Sequence, residues 1–107
     1  MKKLLILSVF IMGMSTATAG TSKGTITHLM VHVGDIVIFS AGPHIDKPAC
    51  STVRDHWALS LKTEKGKAMY AMLLSSAAQN LTVGVKGSNT CSAWGDRESP
   101  VYMYINY

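Results

Sequence analysis

The stretch GKAMYAMLLSSAAQ, residues 66–79, decides the fold class. After Gly66 it is the longest run of the chain without a Gly, Pro, Asn or Asp residue of the kind that separates strands. Most of its residues are good helix formers. Thr63 lies where an N-cap is needed, and Glu64 puts a negative charge in the first turn. Asn80 tolerates the left-handed conformation that ends many helices. The stretch therefore predicts one helix between segments that resemble strands.

This helix has two apolar sides. One stripe at helical spacing is expected to pack on a sheet and consists of Met69, Met72, Leu73, Ser76 and Ala77. The second stripe consists of Tyr70, Leu74 and Ala78. Because a helix that is apolar on both sides usually has both covered, the second stripe predicts either an oligomer interface or a cover formed by loops 41–49 or 92–99.

The segments before the helix alternate as strands do. Residues 25–33 and 36–40 are rich in β-branched and aliphatic residues, and Gly34-Asp35 between them suits a two-residue hairpin. In DHWALSL, the residues on one predicted side are His56, Ala58 and Ser60, and those on the apolar side are Trp57, Leu59 and Leu61. That alternation predicts a half-buried strand with Trp57 in the core.

Two further strands are predicted after the helix, in LTVGVKG and in VYMYINY. The element order is therefore β-β-β-α-β-β, a mainly β fold with one α-helix. A curled sheet with a helix against it fits the small, partly open barrel of the oligonucleotide/oligosaccharide-binding (OB) type. We predict an OB-like fold stapled by one disulfide.

The N-terminal segment has the three parts of a signal peptide. MKK is basic, LLILSVFIMGM is apolar, and ATA before Gly20 is a small-residue cleavage site. We predict residues 1–19 as the signal peptide and residues 20–107 as a single OB-like domain, secreted or periplasmic, with no membrane span after processing. Removing 19 of the 107 residues leaves 88, enough for a modest core only.

Cys50 and Cys91 are the two cysteines of the chain, and both lie in the predicted mature part. An oxidising compartment favours their pairing. Their separation fits neither a Cys-x-x-Cys redox motif nor a short zinc knuckle, so we predict a structural disulfide. In the chain-entropy account a loop of this length contributes about 4 kcal/mol.

The charge of the chain argues against a nucleic-acid partner. The formal net charge is +4, and the loss of Lys2 and Lys3 with the signal peptide lowers it to +2. The densest basic run, KTEKGK, also contains a carboxylate. A nucleic-acid surface needs a denser stripe of Lys and Arg.

Two aromatic regions are candidate ligand sites. Trp94 lies with Asp96 in the loop after Cys91, where an indole could stack on a sugar ring while the carboxylate accepts hydrogen bonds from the sugar hydroxyls. The alternative is a Trp folded over the disulfide. Tyr102 and Tyr104 share one predicted strand face with Asn106. That face fits a ligand platform, a subunit contact or an ordinary amphipathic surface.

Catalysis is not predicted. His28 and His32 point the same way on one strand but stand roughly 13 Å apart, too far for one metal ion. No Ser or Asp lies in a recognisable nucleophile motif. Asp96 and Glu98 share a loop, as a glycosidase pair could, but a sugar-binding cleft is hard to build from so short a chain. We therefore predict a non-enzymatic protein without metal or cofactor.

Residues 49–105 resemble a small, uncharacterised family of secreted bacterial proteins. The shared pattern is a Cys, then Trp-Ala before a helix opening with Gly-Lys-Ala, then Leu-Leu, a Val-x-Val-x-Gly strand, Cys-Ser-x-Trp-x-Asp and a closing Tyr-x-Tyr-Ile strand. The order of elements is also similar to that of the B subunits of AB5-type bacterial toxins. That similarity implies an OB-type barrel, a disulfide and a pentameric ring that binds cell-surface glycans.

The sequence thus favours an exported binding module for a glycan or another surface receptor. Self-association through the helix and cover by loops stay as the two alternatives for the second apolar stripe. The alternative is a periplasmic accessory protein that binds one protein partner through the Tyr face or the helix. A small hydrolase is disfavoured for the reasons given above.

Overall fold

The computed structural model describes residues 19–106. Most of the predicted signal peptide and Tyr107 lie outside the described residues. Six strands and one helix are present: β1 (Thr21–Gly24), β2 (Ile26–His32), β3 (Ile36–Ala41), β4 (Trp57–Ser60), α1 (Glu64–Gln79), β5 (Thr82–Gly87) and β6 (Pro100–Asn106). The predicted mainly β fold with one helix is confirmed.

The strands form two antiparallel sheets of three strands each, in the orders β1-β5-β6 and β2-β3-β4. The prediction had five strands, and β1 is an addition. Its sequence, TSKG, has no apolar alternation that marks a strand. It becomes one because its backbone pairs with β5, from Thr21 opposite Lys86 to Gly24 opposite Val83.

One hydrophobic core joins both sheets to the helix. Its buried members are Val37, Phe39, Ala41, Trp57, Leu59, Met69, Leu73, Val83, Val85 and Met103. Trp57 is fully buried, as predicted. A second, smaller cluster lies on the other face of β3 and contains Ile36, Ile38 and Ala58.

The predicted half-exposed strand is buried on both faces. Ala58, expected on the polar side of β4, is fully buried because the loop bearing Ala93 and Trp94 packs over the second cluster. The alternation of polar and apolar residues along β4 indicates only the face that packs on the main core. The other face is covered by a loop more than 30 residues later in the chain, which the alternation does not reveal.

The turn between β2 and β3 contains three residues rather than two. His32 pairs with Ile36, so Val33, Gly34 and Asp35 form the loop. Gly34 and Asp35 both have positive φ, 77° and 61°. The predicted position of the turn is correct, and the predicted length of two residues is one residue too short.

Helix α1 begins and ends where the sequence indicates. The Thr63 hydroxyl accepts a hydrogen bond from the Gly66 N–H at 2.9 Å, and Asn80 adopts the left-handed conformation at φ 55° and ψ 41°. The buried residues of the helix are Gly66, Met69, Leu73 and Ser76. Met72 is half-buried and Ala77 is exposed, so the packed stripe is narrower than predicted.

The predicted disulfide joins Cys50 to Cys91, with Cα atoms 6.2 Å apart. It ties the loop before β4 to the loop before β6, as expected. A disulfide of this kind is compatible with a periplasmic or extracellular location.

Candidate functional site

The outer face of the β1-β5-β6 sheet carries two exposed tyrosines. Tyr102 and Tyr104 are alternate residues of β6, so both side chains leave the same face, and they are 52% and 42% exposed. Their neighbours on β5 are Lys86, opposite Tyr102, and Gly84, opposite Tyr104. We call this surface, with Lys23, the tyrosine platform.

Gly84 sets the position of one platform ring. A methyl group on its Cα would overlap the Cζ, Cε1 and Oη atoms of Tyr104, so the ring lies directly over the Gly84 backbone. Glycine is the residue that leaves room for this contact. The cross-strand pair therefore holds Tyr104 against the sheet instead of letting it extend freely into solvent.

Two lysines flank the tyrosines. Lys86 lies between Tyr102 and Thr21 across the sheet, and Lys23 lies opposite Gly84 on β1. Among the described residues, neither ammonium group has a carboxylate within ion-pairing distance. The face therefore offers aromatic surface together with donors that no neighbouring acid engages.

A groove of about 470 Å³ runs along this platform. Its walls are Thr21, Ser22, Lys23, Pro43, Ile45, Val85, Lys86, Tyr102 and Tyr104. The wall beyond β1 is held in place because Thr21 and Ile45 exchange backbone hydrogen bonds of 3.0 and 2.9 Å. Ile45 remains 55% exposed and adds an apolar rim. Apolar walls with a few polar donors are typical of small-ligand sites.

The other predicted ligand residues lie against the opposite sheet. Trp94 is half-buried: it packs on the second cluster, and its ring centroid is 4.4 Å from that of His32. The Asp96 carboxylate accepts a 2.6 Å hydrogen bond from Arg97. The four residues predicted to bind ligand thus divide into two pairs, one on β6 and one in the loop before it.

The histidines form stacked contacts rather than a metal site. The His28 and His56 rings are parallel within 10° and 4.6 Å apart, and Arg97 Nε donates to His56 Nδ1 at 3.1 Å. Burial lowers the pKa of His56, and the positive charge of Arg97 lowers it further. No cluster of three or more His, Cys, Asp or Glu side chains able to hold a metal ion occurs within residues 19–106.

Sequence reasoning missed a buried acid–imidazole pair. His44 Nε2 lies 2.7 Å from Glu98 Oε1, and both side chains are fully inaccessible to solvent. The His44 ring stacks on Trp57 with centroids 3.8 Å apart. The two residues are 54 positions apart in the chain, and no local pattern links them. The loop carboxylates Asp96 and Glu98 therefore have different environments, one beside Arg97 and one sealed in the interior.

The predicted oligomer stripe is only partly free. Tyr70 packs against the main core, whereas Leu74 is 47% exposed and Ala78 is exposed. Part of the second apolar side of the helix is thus covered within the chain. The exposed remainder of the stripe consists of Leu74 and Ala78.

A second cavity of about 390 Å³ lies between the first turn of α1, β4 and the loop 92–100. It is lined by Lys62 and Lys65 but contains no aromatic side chain. None of the predicted ligand residues contributes to it.

No helix in the described part of the chain has the length and apolar character needed to cross a lipid bilayer. No family model, curated protein or solved structure matches this chain.

Proposed function

We propose that this protein is an exported, non-enzymatic binding module that holds a glycan on the tyrosine platform. The observation that carries the proposal is the groove in which two adjacent, exposed tyrosine rings lie beside two lysines that have no acidic partner within residues 19–106. Tyrosine supplies rigid apolar area with a polar tip, which suits the mixed surface of a sugar. The lysine ammonium and tyrosine hydroxyl groups supply donors for sugar oxygens.

Several features support a binding role over a catalytic one. The His44–Glu98 pair is sealed from solvent, and Arg97 engages Asp96. A general base must reach the proton that it removes, and neither acid is placed to do so on a substrate in the groove. Export is supported by the signal-like N-terminus and by the disulfide.

The platform is tested by glycan-array binding of the mature protein and a Tyr102→Ala variant. We expect affinity to fall about tenfold or more, because a buried aromatic anchor typically contributes over 1 kcal/mol to binding. Val101→Ala is the matched control, since Val101 is the adjacent residue of β6, is also exposed and does not line the groove. Trp94→Ala tests the other predicted ligand pair, Trp94 and Asp96.

The possible results separate the two sites. A loss of glycan affinity in Tyr102→Ala alone supports binding at the platform. A loss of affinity in Trp94→Ala alone would mean that the glycan binds beside Trp94 on the other sheet. A folded protein that binds no glycan on a broad array would contradict the proposal.

A second candidate function is protein binding through the exposed helix surface, either to a second copy or to a periplasmic partner. Leu74, Ala71 and Ala78 are exposed and uncharged along one side of α1. If copies of the chain associate there, light scattering will give a mass above that of the monomer, and Leu74→Glu will reduce it to one chain. Lys65→Glu, at the exposed start of the helix, is the control and leaves the mass unchanged. A monomeric mass for the unmodified protein would remove self-association.

A further inference from the structure

The backbone of Gly20 is buried against the His44–Glu98 pair. Its nitrogen donates a 3.0 Å hydrogen bond to Glu98 Oε2, and its carbonyl oxygen accepts one of 2.8 Å from the Gly87 nitrogen. Strand β1 begins at the next residue. The first residue after the predicted cleavage site is therefore held at both its nitrogen and its oxygen.

The space around the Glu98 carboxylate is shaped for glycine on two sides. A methyl group on Gly20 would overlap Glu98 Oε1 and meet His44 Nε2, and one on Gly87 would overlap Glu98 Oε2. The carboxylate thus fits between two backbones without side chains. A larger residue at position 20 would displace it.

The Glu98 Oε2 atom accepts hydrogen bonds from the backbone nitrogens of Gly20 and Asn89, whereas His44 lies at Oε1. Glu98 is fully buried and also accepts a 2.8 Å hydrogen bond from the Asn89 nitrogen. Among the described residues, the one ionisable group within ion-pairing distance of its carboxylate is His44. An isolated buried carboxylate is costly, and a paired one is much less so. Hydrogen bonds in which the donor or the acceptor is charged are roughly twice as strong as neutral ones.

We propose that Glu98 is the internal receptor for the new N-terminus of the processed protein. A signal peptidase and one water molecule hydrolyse the Ala19–Gly20 peptide bond, so Ala19 leaves as a carboxylate and Gly20 gains an α-ammonium group. That ammonium forms a buried ion pair with Glu98 Oε2 at the position where the peptide N–H lies in the structure. Processing thereby adds a positive charge to the donor of this hydrogen bond and completes the interior of the fold.

The first test compares two chains with the same fold but different N-termini. One begins at Gly20 and the other at Ala17, and intact mass verifies both starts. Both contain every described strand, the helix and the disulfide. We expect the midpoint of thermal unfolding to be about 5–15 °C higher for the chain that begins at Gly20, because a buried charged contact is gained. Equal midpoints would overturn the proposal.

The second test removes the charge of the receptor. In Glu98→Gln the difference between the two chains is expected to shrink to within a few degrees, since the amide cannot form an ion pair. Glu64→Gln is the matched control because its side chain is 95% exposed, and it leaves the difference intact. A difference that persists in Glu98→Gln would show that the ammonium binds elsewhere.

A third measurement uses the unsubstituted protein, so it does not require any variant to fold. The α-amine of the Gly20 chain is modified with an amine reagent near neutral pH and followed by mass spectrometry. We expect the native protein to react at least tenfold more slowly at Gly20 than the reduced, denatured protein. Equal rates, or an exported protein whose first residue is not Gly20, would refute the inference.

Discussion

At the scale of single residues, several side chains have roles that their sequence neighbours do not indicate. His44 follows a Gly-Pro loop and contacts Glu98, Trp57 and the His56 carbonyl. Glu98 is one of six acids in the chain and is the one whose side chain is fully buried among the described residues. Buried polar groups need partners, and these partners come from distant segments.

His56 makes the stability of the fold sensitive to pH. Burial, the Arg97 guanidinium, His28 and Arg54 all lower its pKa below the ordinary 6.5, and Asp55 opposes them. The unfolded chain therefore binds a proton at a higher pH than the folded one. By linkage, stability falls as the pH drops from about 6.5 towards the lower pKa of the folded state.

This effect is measured as the free energy of unfolding between pH 7.5 and pH 5. We expect the acid-side decrease to be smaller in His56→Gln than in the unmodified protein. His32→Gln is the control, because His32 contacts Trp94 and, among the described residues, forms no hydrogen bond with an arginine, unlike His56. Identical pH slopes for all three proteins would contradict the assignment.

At the scale of elements, the first turn of the helix lies against the end of β4. Gly66 looks unfavourable there, because glycine weakens a helix. In the structure, a methyl group at Gly66 would overlap the Ser60 carbonyl oxygen at the end of β4. The glycine therefore allows α1 to begin directly against the strand that precedes it.

Gly66→Ala tests this contact. Helix propensity alone predicts a gain of up to about 1 kcal/mol, whereas the steric overlap predicts a loss of about 1–3 kcal/mol, as in overpacked sites. Gly95→Ala is the matched control, because nothing lies within 4 Å of a methyl group at that position. The measurement is the urea midpoint of unfolding of each variant. A higher midpoint for Gly66→Ala than for the unmodified protein would contradict the overlap, because the helix could then shift without loss of stability.

At the scale of the whole molecule, two small sheets and one helix share a core of modest size. The disulfide joins two long loops, each of which carries part of the second cluster or of the Glu98 environment. Ser51, beside Cys50, accepts a hydrogen bond from the Glu98 nitrogen at 3.1 Å. The staple thus lies next to the buried acid.

Removal of the disulfide is expected to destabilise the molecule substantially. Cys50→Ser with Cys91→Ser should lower the free energy of unfolding by about 2–4 kcal/mol, because the unfolded chain regains the entropy of a long loop. Urea unfolding of the double variant, with the reduced unmodified protein as the control, measures this. A change below about 1 kcal/mol would mean that the loops hold their positions without the staple.

The sequence by itself determined the fold class, the helix bounds, the disulfide and the Tyr face. These features depend on local chemistry: helical spacing, the caps at Thr63 and Asn80, strand alternation and the presence of two cysteines only. Side chains two residues apart in a strand leave the same face of any sheet, so Tyr102 and Tyr104 were predictable as a pair.

Tertiary structure alone decided strand β1, the burial of Ala58, the groove beside Tyr102 and the Glu98 site. Strand β1 exists because β5 supplies its hydrogen bonds, and Ala58 is buried because a distant loop covers it. The lysines of the platform come from β1 and β5. The Glu98 carboxylate forms hydrogen bonds with Gly20, His44 and Asn89, which lie in three different segments. Contacts between segments far apart in the chain leave no periodic signal in it, so only the folded arrangement reveals them.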